Sequence, residues 1–320
     1  MDRHFDSLPE GLRTATGRIA ALGVFDGVHR GHARILGEAI RWARETRVPA
    51  LALTFSTHPD AIIRGAEPRF IVSVTRRIEI LESLGFDATV LLPFNEQIAR
   101  LPARRFAEEF LGRGLALTGV VVGANFRFGH RAEGDVDLLR RLGETGGFEV
   151  RVLEAVRFHD EIISSSLVRK EVEAGNVENA EAMLGRPFHL RGRVVLGQRR
   201  GRTLGFPTVN LAPDTLLRPA KGVYATLLER SGGRAYPSVT NVGVCPTFGA
   251  GAPLTVETHI LDFDEEIYGE EVGVAFHQRL RGEERFPTPA ALVDQIARDI
   301  ARARERLGRG ASLTDESVTL

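Results

Sequence analysis

Cysteine is nearly missing from this sequence: Cys245 is the only one among 320 residues. A lone thiol closes no internal disulfide and builds no Cys-rich zinc site. That suits a reducing compartment. Net charge is missing too, because Lys+Arg and Asp+Glu both number 42. Proteins that grip long nucleic acid usually carry a basic excess, so no nucleic-acid partner is expected. A balanced total still allows local basic pockets for small phosphorylated ligands. No apolar run is long enough to span a bilayer, and residues 1–20 are polar, without the apolar core of a signal peptide. The expectation is therefore a cytoplasmic chain without a membrane partner. There is no internal repeat, no long flexible linker, and no signal for an oligomeric state. What remains is ordinary globular composition at a length that favours two domains.

The first half alternates short apolar runs with helical patterns. Ile19–Val24 reads as a buried strand, and Ile35, Leu36, Ala39, Ile40 and Ala43 then recur at helical spacing up to Pro49. Ala50–Phe55, Thr89–Leu92, Val120–Val122 and Val150–Leu153 read as further strands. Thr75–Leu84 puts Ile78, Leu81 and Leu84 on one helical face, with Gly85 as its stop. Strand and helix in alternation predict a parallel sheet covered on both faces, with ligands at the carboxyl ends of its strands.

The pattern changes near Arg186. His189–Leu196, Gly222–Leu228, Ser238–Val242, Leu254–Leu261 and Glu271–His277 read as short strands punctuated by Gly and Pro, which predicts an antiparallel sheet or barrel. Thr288 can cap a last helix, with Pro289 at its first position and Leu292, Val293, Ile296 and Ile300 on one face. The predicted division is residues 1–185, residues 186–310 and a tail at 311–320.

Gly23-Val24-Phe25-Asp26-Gly27-Val28-His29-Arg30-Gly31-His32 follows the first strand and opens a helix. A helix N-terminus offers free N–H groups and the positive end of the macrodipole, which suit phosphate. Histidines there can donate to charge that builds on a reacting phosphate. The other readings are a Gly-rich turn with two surface histidines, or an adventitious metal site that lacks a third ligand. Three more polar segments fall at strand ends or helix starts: Thr54–Pro59, Gly123–Gly129 and Ile163–Arg169. Each alone is weak, since His58, Asn125 and Ser166 are also ordinary turn or cap residues.

The second half opens with Gly197–Asn210, Gly-rich and basic, without the Gly-Lys-Ser/Thr of a Walker A loop. On a strand, Thr208 and Asn210 point to one face and offer two oxygen ligands. Mg²⁺ takes hard oxygen ligands, often few from protein. The alternative is two polar residues at a strand end. Glu257 sits in an apolar, strand-like run, which predicts burial on one face and a carboxylate that is paired, capped or functional. Arg281-Gly282-Glu283-Glu284-Arg285-Phe286 closes the set.

From Leu22 to Leu184 the chain resembles the adenylyltransferase module of bacterial bifunctional FAD synthetases. The resemblance is carried by Gly-x-Phe-Asp-Gly-x-His-x-Gly-His, the later His58-Pro59, Gly123-Ala124-Asn125-Phe126-Arg127-Phe128-Gly129, and Ser164-Ser165-Ser166 with Arg169. Ser166 stands where the family often has Thr, and Asn125 where many members have Asp. From Arg186 to Leu307 it resembles the riboflavin kinase module of the same family, through Gly205-Phe206-Pro207-Thr208-Val209-Asn210. Cys245 stands there in place of a frequent Arg, and Arg285 in place of the more usual Lys.

The resemblance implies a Rossmann-like α/β nucleotidyltransferase module, then a small antiparallel β-barrel kinase module with a C-terminal helix. It implies phosphorylation of riboflavin to FMN, releasing ADP, then adenylylation of FMN to FAD, releasing pyrophosphate. ATP is co-substrate in both steps, with Mg²⁺ as cofactor. His29 and His32 would act on the ATP phosphates, with Gly23, Phe25, Asp26, Gly31, Ser164 and Arg169 around the nucleotide. His58, Asn125 and Phe128 would face flavin. In the kinase module Gly201 and Gly205 would line the ATP loop, Thr208 and Asn210 would hold Mg²⁺, Glu257 would be the base, and Asn241 and Arg281 would face flavin. A chain with one degenerate module is a rival, as is a non-catalytic flavin sensor; neither explains why His29, His32 and Glu257 are all present. A related cytidylyltransferase or pantetheine-phosphate adenylyltransferase would lack the second module.

Overall fold

A computed structural model describes residues 17–197, 201, 204–244 and 254–308. Cys245, Thr203, most of the basic loop and the 311–320 tail lie outside the described residues. The chain forms two compact units. Among the described residues, the first holds 17–68 and Val74–Ser164; the second holds Arg69–Ser73 and those of 165–308.

In the first unit, β1 (Ile19–Leu22), β2 (Ala50–Phe55), β3 (Ala88–Leu92), β4 (Gly119–Gly123) and β5 (Glu149–Leu153) form one sheet in the order β3-β2-β1-β4-β5. Every pairing in it is parallel; a short antiparallel pair, β6 (Arg157–Phe158) and β7 (Glu161–Ile162), follows it in the chain. Successive strand residues point to opposite faces, and both faces are covered. Ala20, Leu22, Leu51, Leu53, Val120 and Val122 meet Phe106, Phe110, Leu139 and Leu142 on one side. Ile19, Ala21, Ala50, Ala52 and Val121 meet the other layer, built from α1 (Arg30–Thr46) and α3 (Val74–Ser83); the short α2 (Pro59–Ile63), between them in the chain, has no buried residue. From that layer Leu36, Ala39, Ile40 and Ala43 of α1 and Ile80 and Leu81 of α3 reach the sheet. That explains the near-continuous apolar runs of the strands. α1 ends at Arg47 in the left-handed region, before Pro49. β1 lies between β2 and β4, so the sense of the connections reverses there, and its carboxyl end is the switch point at which such sheets bind ligands.

The second unit begins with α4 (Ser165–Ala174) and α5 (Val177–Leu184). Its strands are β8 (Phe188–Val195), β9 (Val209–Pro213), β10 (Gly222–Arg230), β11 (Ala235–Val244), β12 (Leu254–Ile260) and β13 (Glu271–Arg281). They close into a barrel in the order β10-β11-β12-β9-β8-β13. All its pairings are antiparallel. Sequence reading counts five of these runs as strands; β9 is the addition.

Inside the barrel the buried hydroxyls of Thr226, Thr240 and Thr258 form a chain, with Oγ1 to Oγ1 distances of 2.8 and 2.9 Å. The last helix, α6 (Pro289–Gly308), starts as expected, with Thr288 Oγ1 accepting from the Ala291 N–H at 3.2 Å. Its most buried residues are Asp299, Ala303 and Leu307; Leu292, Val293, Ile296 and Ile300 are only half-buried.

Candidate active sites

The first site grows from the turn between β1 and α1. His29 is the N-cap of α1. Its Nδ1 accepts the His32 backbone N–H at 3.2 Å, so any ring proton of the neutral form sits on Nε2. Gly31 permits this: a Cβ there would stand 3.1 Å from the His29 ring. The His29 and His32 rings stack at 3.6 Å between centroids, and Phe25 meets His32 edge-on at 5.3 Å. His29 is buried; His32 keeps part of its ring exposed, while its Nδ1 is sealed from solvent without a hydrogen-bond partner. Burial first, then His29 and Arg77, hold the His32 pKa well below the usual histidine range, so it is neutral. Two histidines at a helix N-terminus beside the switch point can receive a polyphosphate.

Beneath the pair lies a residue that sequence reading missed. Arg77, on α3, is fully buried. Its guanidinium donates to Val24 O and to Phe55 O, each at 2.6 Å. Its sequence signal was position: Arg77, Ile80, Leu81 and Leu84 are the buried i, i+3, i+4, i+7 stripe, whereas Ile78 is only half-buried. Asp26, expected beside the nucleotide, is itself fully buried and is the carboxylate whose charge opposes the effect of burial on Arg77. Gly23 continues the sheet, its N–H donating to Leu53 O at 3.1 Å.

The other strand-end motifs divide. His58 caps α2, its Nδ1 accepting the Asp60 N–H at 3.1 Å. Asn125 is exposed just past β4. Phe128 is buried in the core against Phe106, with centroids 5.8 Å apart. The more accessible ring is Phe126, half-buried and stacked on Phe128 at 5.7 Å and 17°. Ser164 is half-buried and precedes α4; the carbonyl of its neighbour Ile163 lies near Gly31. Arg169, on α4 of the second unit, donates from Nε to Arg69 O at 2.9 Å. Ser166 is exposed inside the first turn of α4 and is not its N-cap.

The second site is a row across three strands. Asn241 of β11 stands directly opposite Glu257 of β12, and Glu257 directly opposite Asn210 of β9. Residues so paired have Cα atoms about 4.5–5.5 Å apart. All three are half-buried, whereas Val256, Thr258 and Ile260 between and beyond them point into the barrel. Glu257 therefore occupies the more accessible face of its strand, not the buried one expected from its apolar run. Thr208, half-buried, lies just before β9, two residues from Asn210.

Two glycines, Gly197 and Gly201, stand close to these donors. A Cβ on Gly197 would fall 2.0 Å from Asn210 Nδ2, and one on Gly201 3.4 Å from Thr208 Oγ1. Gly205 turns the chain before Thr208 with φ +87°. A cavity of about 280 Å³ opens beside Thr208, between Pro207–Val209, Ile260 and the Phe263–Tyr268 loop. Arg281, expected at flavin, is held by Asp299: Nε donates to Oδ2 at 2.9 Å, and the Asp299 side chain is buried. Gln295 donates to the other oxygen of Asp299 at 2.9 Å.

Comparison with known proteins follows the same division. The FAD synthetase family model matches residues 12–167, and the riboflavin kinase model matches residues 184–307. The chain is 35% identical to the bifunctional riboflavin kinase/FMN adenylyltransferase of Pseudomonas fluorescens, over 90% of this chain and 92% of that one. It is 34% identical to the protein of the same name from Escherichia coli K12, over 91% and 93%. The Bacillus subtilis protein of that name is 33% identical over 88% and 90%. A solved structure described as a macrolide-efflux protein from Streptococcus pneumoniae shares the fold, with a TM-score of 0.84 and 31% identity over 94% of this chain and 96% of that one. Among the described residues here, no helix is long and apolar enough to cross a membrane. With both family models matched in sequence order and relatives aligned over nearly their whole length, this chain belongs to the bifunctional riboflavin kinase/FMN adenylyltransferase family.

Proposed function

We propose that the two reactions are divided between the two units, FMN adenylylation at the His29/His32 turn and riboflavin phosphorylation at the Asn241–Glu257–Asn210 row. The chain phosphorylates riboflavin to FMN with ATP, then adenylylates FMN to FAD with a second ATP. The observation that carries the division is that the stacked histidines stand in the first unit and the Asn241–Glu257–Asn210 row in the second.

In the first unit the FMN phosphate attacks the α-phosphorus of ATP in line, and pyrophosphate leaves. This nucleophile is already anionic, so the site needs positioning and screening rather than a base. His29 presents its Nε2–H, and the α1 N-terminus its free N–H groups, to phosphate oxygens. His32, neutral beforehand, gains affinity for a proton as a polyphosphate arrives. Ser164 borders the same turn, and Phe126 offers a ring face to the flavin beside Asn125.

In the second unit the nucleophile is a neutral alcohol, the terminal ribityl hydroxyl, and Glu257 accepts its proton as it attacks the γ-phosphorus. Asn210 and Asn241 flank that carboxylate and orient the hydroxyl and the phosphate. Thr208 and Asn210 offer hard oxygen donors, a donor set that fits Mg²⁺ completed by phosphate and water. Bound there, Mg²⁺ would neutralise phosphate charge. The cavity beside Thr208 has room for the adenosine of ATP, with Ile260, Phe263, Ile267 and Tyr268 as apolar walls beside the acidic Asp264, Glu265 and Glu266. A reducing, cytoplasmic setting is part of the same proposal, supported by the single cysteine.

The test is incubation with ATP, Mg²⁺ and riboflavin, followed by chromatography. FMN is expected first and FAD later; supplied FMN alone is expected to give FAD. FMN without FAD, or FAD formation only from supplied FMN, would remove one half of the proposal.

A further inference from the structure

The turn that carries the histidines is strained. Phe25 has φ +52° and Val28 φ +41°, both in the left-handed region. Side chains with a Cβ avoid that region, β-branched valine most of all. Such conformations persist only where the surroundings over-determine them. Both side chains are fully buried, and the Val28 N–H donates to Phe25 O at 3.1 Å. The carbonyl of Val24, where the turn leaves β1, receives two side-chain donors: Thr54 Oγ1 at 2.7 Å and Arg77 Nη1 at 2.6 Å. The second arm of the same guanidinium reaches Phe55 O, the last residue of β2. β1 and β2 are parallel neighbours whose chains diverge at this edge. A planar fork with fixed donors can span the two carbonyls; a lysine ammonium has no such fork.

The opposite charges of Asp26 and Arg77, both fully buried, also call for a reason. Buried opposite charges are weak evidence for stability, because apolar residues of similar volume often serve as well. Here one lies on the turn that carries the residues assigned to phosphate, and the other is bonded to Val24 of that turn. We propose that Arg77 is a positioning residue of the adenylylation site, clamping the ends of β1 and β2 so that the strained turn holds His29 and His32 toward the nucleotide. This rests on the assignment of those histidines to FMN adenylylation. The charges around His32 are His29 on its own turn and Arg77 on α3, with Asp26 opposite Arg77.

The test compares Arg77→Lys, Arg77→Met, Thr54→Val and His32→Ala in the full chain. Both reactions are followed in each variant, riboflavin phosphorylation serving as the internal control. Lysine keeps the charge and loses the fork, so R77K is expected to lower kcat for FAD formation by about 10²-fold, the scale of a small misplacement. Its KM for FMN and ATP is expected to stay within about threefold, since many groups share ground-state binding. R77M is expected to lose kcat similarly. It also removes a positive charge near His32, so the acid limb of its pH–rate profile moves to higher pH, while that of R77K stays. T54V, which removes one donor to Val24 O, is expected to lose activity severalfold and decides the matter if R77M fails to fold. R77K at a kcat within twofold of wild type, or a loss carried by KM alone, overturns the inference. H32A at wild-type rate removes the site assignment itself; an inactive H32A beside a fully active R77K removes only the role of Arg77.

Discussion

Under the proposed assignments the two sites face opposite problems. The nucleophile expected in the first unit is charged, and the groups set against it are neutral or cationic: the stacked histidines, a helix N-terminus and Arg77. Asp26, on the same turn, is fully buried, and its charge acts against the effect of burial on Arg77. In the second unit the nucleophile is an alcohol, and a carboxylate stands half-exposed in the middle of the row, between two amides. The backbones differ in the same sense. The histidines stand on a turn with two non-glycine residues at positive φ, whereas the second row needs only the regular register of an antiparallel sheet. Shielding like charges demands an unusual turn; removing a proton demands an accessible base.

The sharpest way to break this contrast is Glu257→Gln, which keeps the shape and removes the basicity. Riboflavin phosphorylation is expected to fall by about 10²–10⁴, while FAD formation from supplied FMN continues. A kinase rate within a few-fold of wild type would make Glu257 structural. His32→Ala probes the other side. FAD formation is expected to fall by about 10²–10³, the cost of losing one charge-stabilising donor, with riboflavin phosphorylation nearly unchanged. Equal losses in both reactions would deny the division of labour.

Much of this was legible in the sequence, for identifiable reasons. Parallel strands buried on both faces leave continuous apolar runs, and β1, β2 and β4 were readable as such; the edge strands β3 and β5 are only partly buried but were readable from their valines and leucines. The histidine pair was readable because its spacing and the preceding strand are both local. Arg77 was not, because a charged residue on an apolar helix face is discounted until its partners, Val24 and Phe55, are brought to it. The row Asn241–Glu257–Asn210 was readable residue by residue but not as a row, since register across β11, β12 and β9 is tertiary information. Glu257 was assigned to the buried face because its run looks apolar, yet strict alternation gives that face to Val256, Thr258 and Ile260. Phe126 and Phe128 lie two apart in the sequence, and only packing against Phe106 separates core ring from accessible ring.

Smaller effects sharpen the comparison through stability. Burial, then Arg306, lowers the His277 pKa from the usual 6.5 to about 4. The unfolded chain therefore takes up this proton first as pH falls. The second unit is expected to keep its stability above about pH 6.5 and to lose it progressively down to about pH 4, by at most about 3 kcal/mol from this group. Denaturant melts across that range check the slope, and His277→Leu is expected to flatten it. Thr240→Val is expected to destabilise the second unit by about 1–3 kcal/mol, since Thr226 and Thr258 each lose a buried hydroxyl partner. Thr240→Ser is expected to restore most of this, and FAD formation from FMN to survive in both.

The closure of the barrel by β13 has a consequence for how the protein is made. β13 pairs with β8 on one side and β10 on the other, so residues near position 190 wait for partners 78 to 88 positions later in the chain. The sheet of the first unit is complete once β5 has emerged from the ribosome. During synthesis the first unit can settle while the barrel is still an open ladder, and long-range pairing of that kind is slow and exposes strand edges. The interval between emergence of β8 and emergence of β13 is then the period in which the nascent chain is most open to misassociation and most dependent on chaperones.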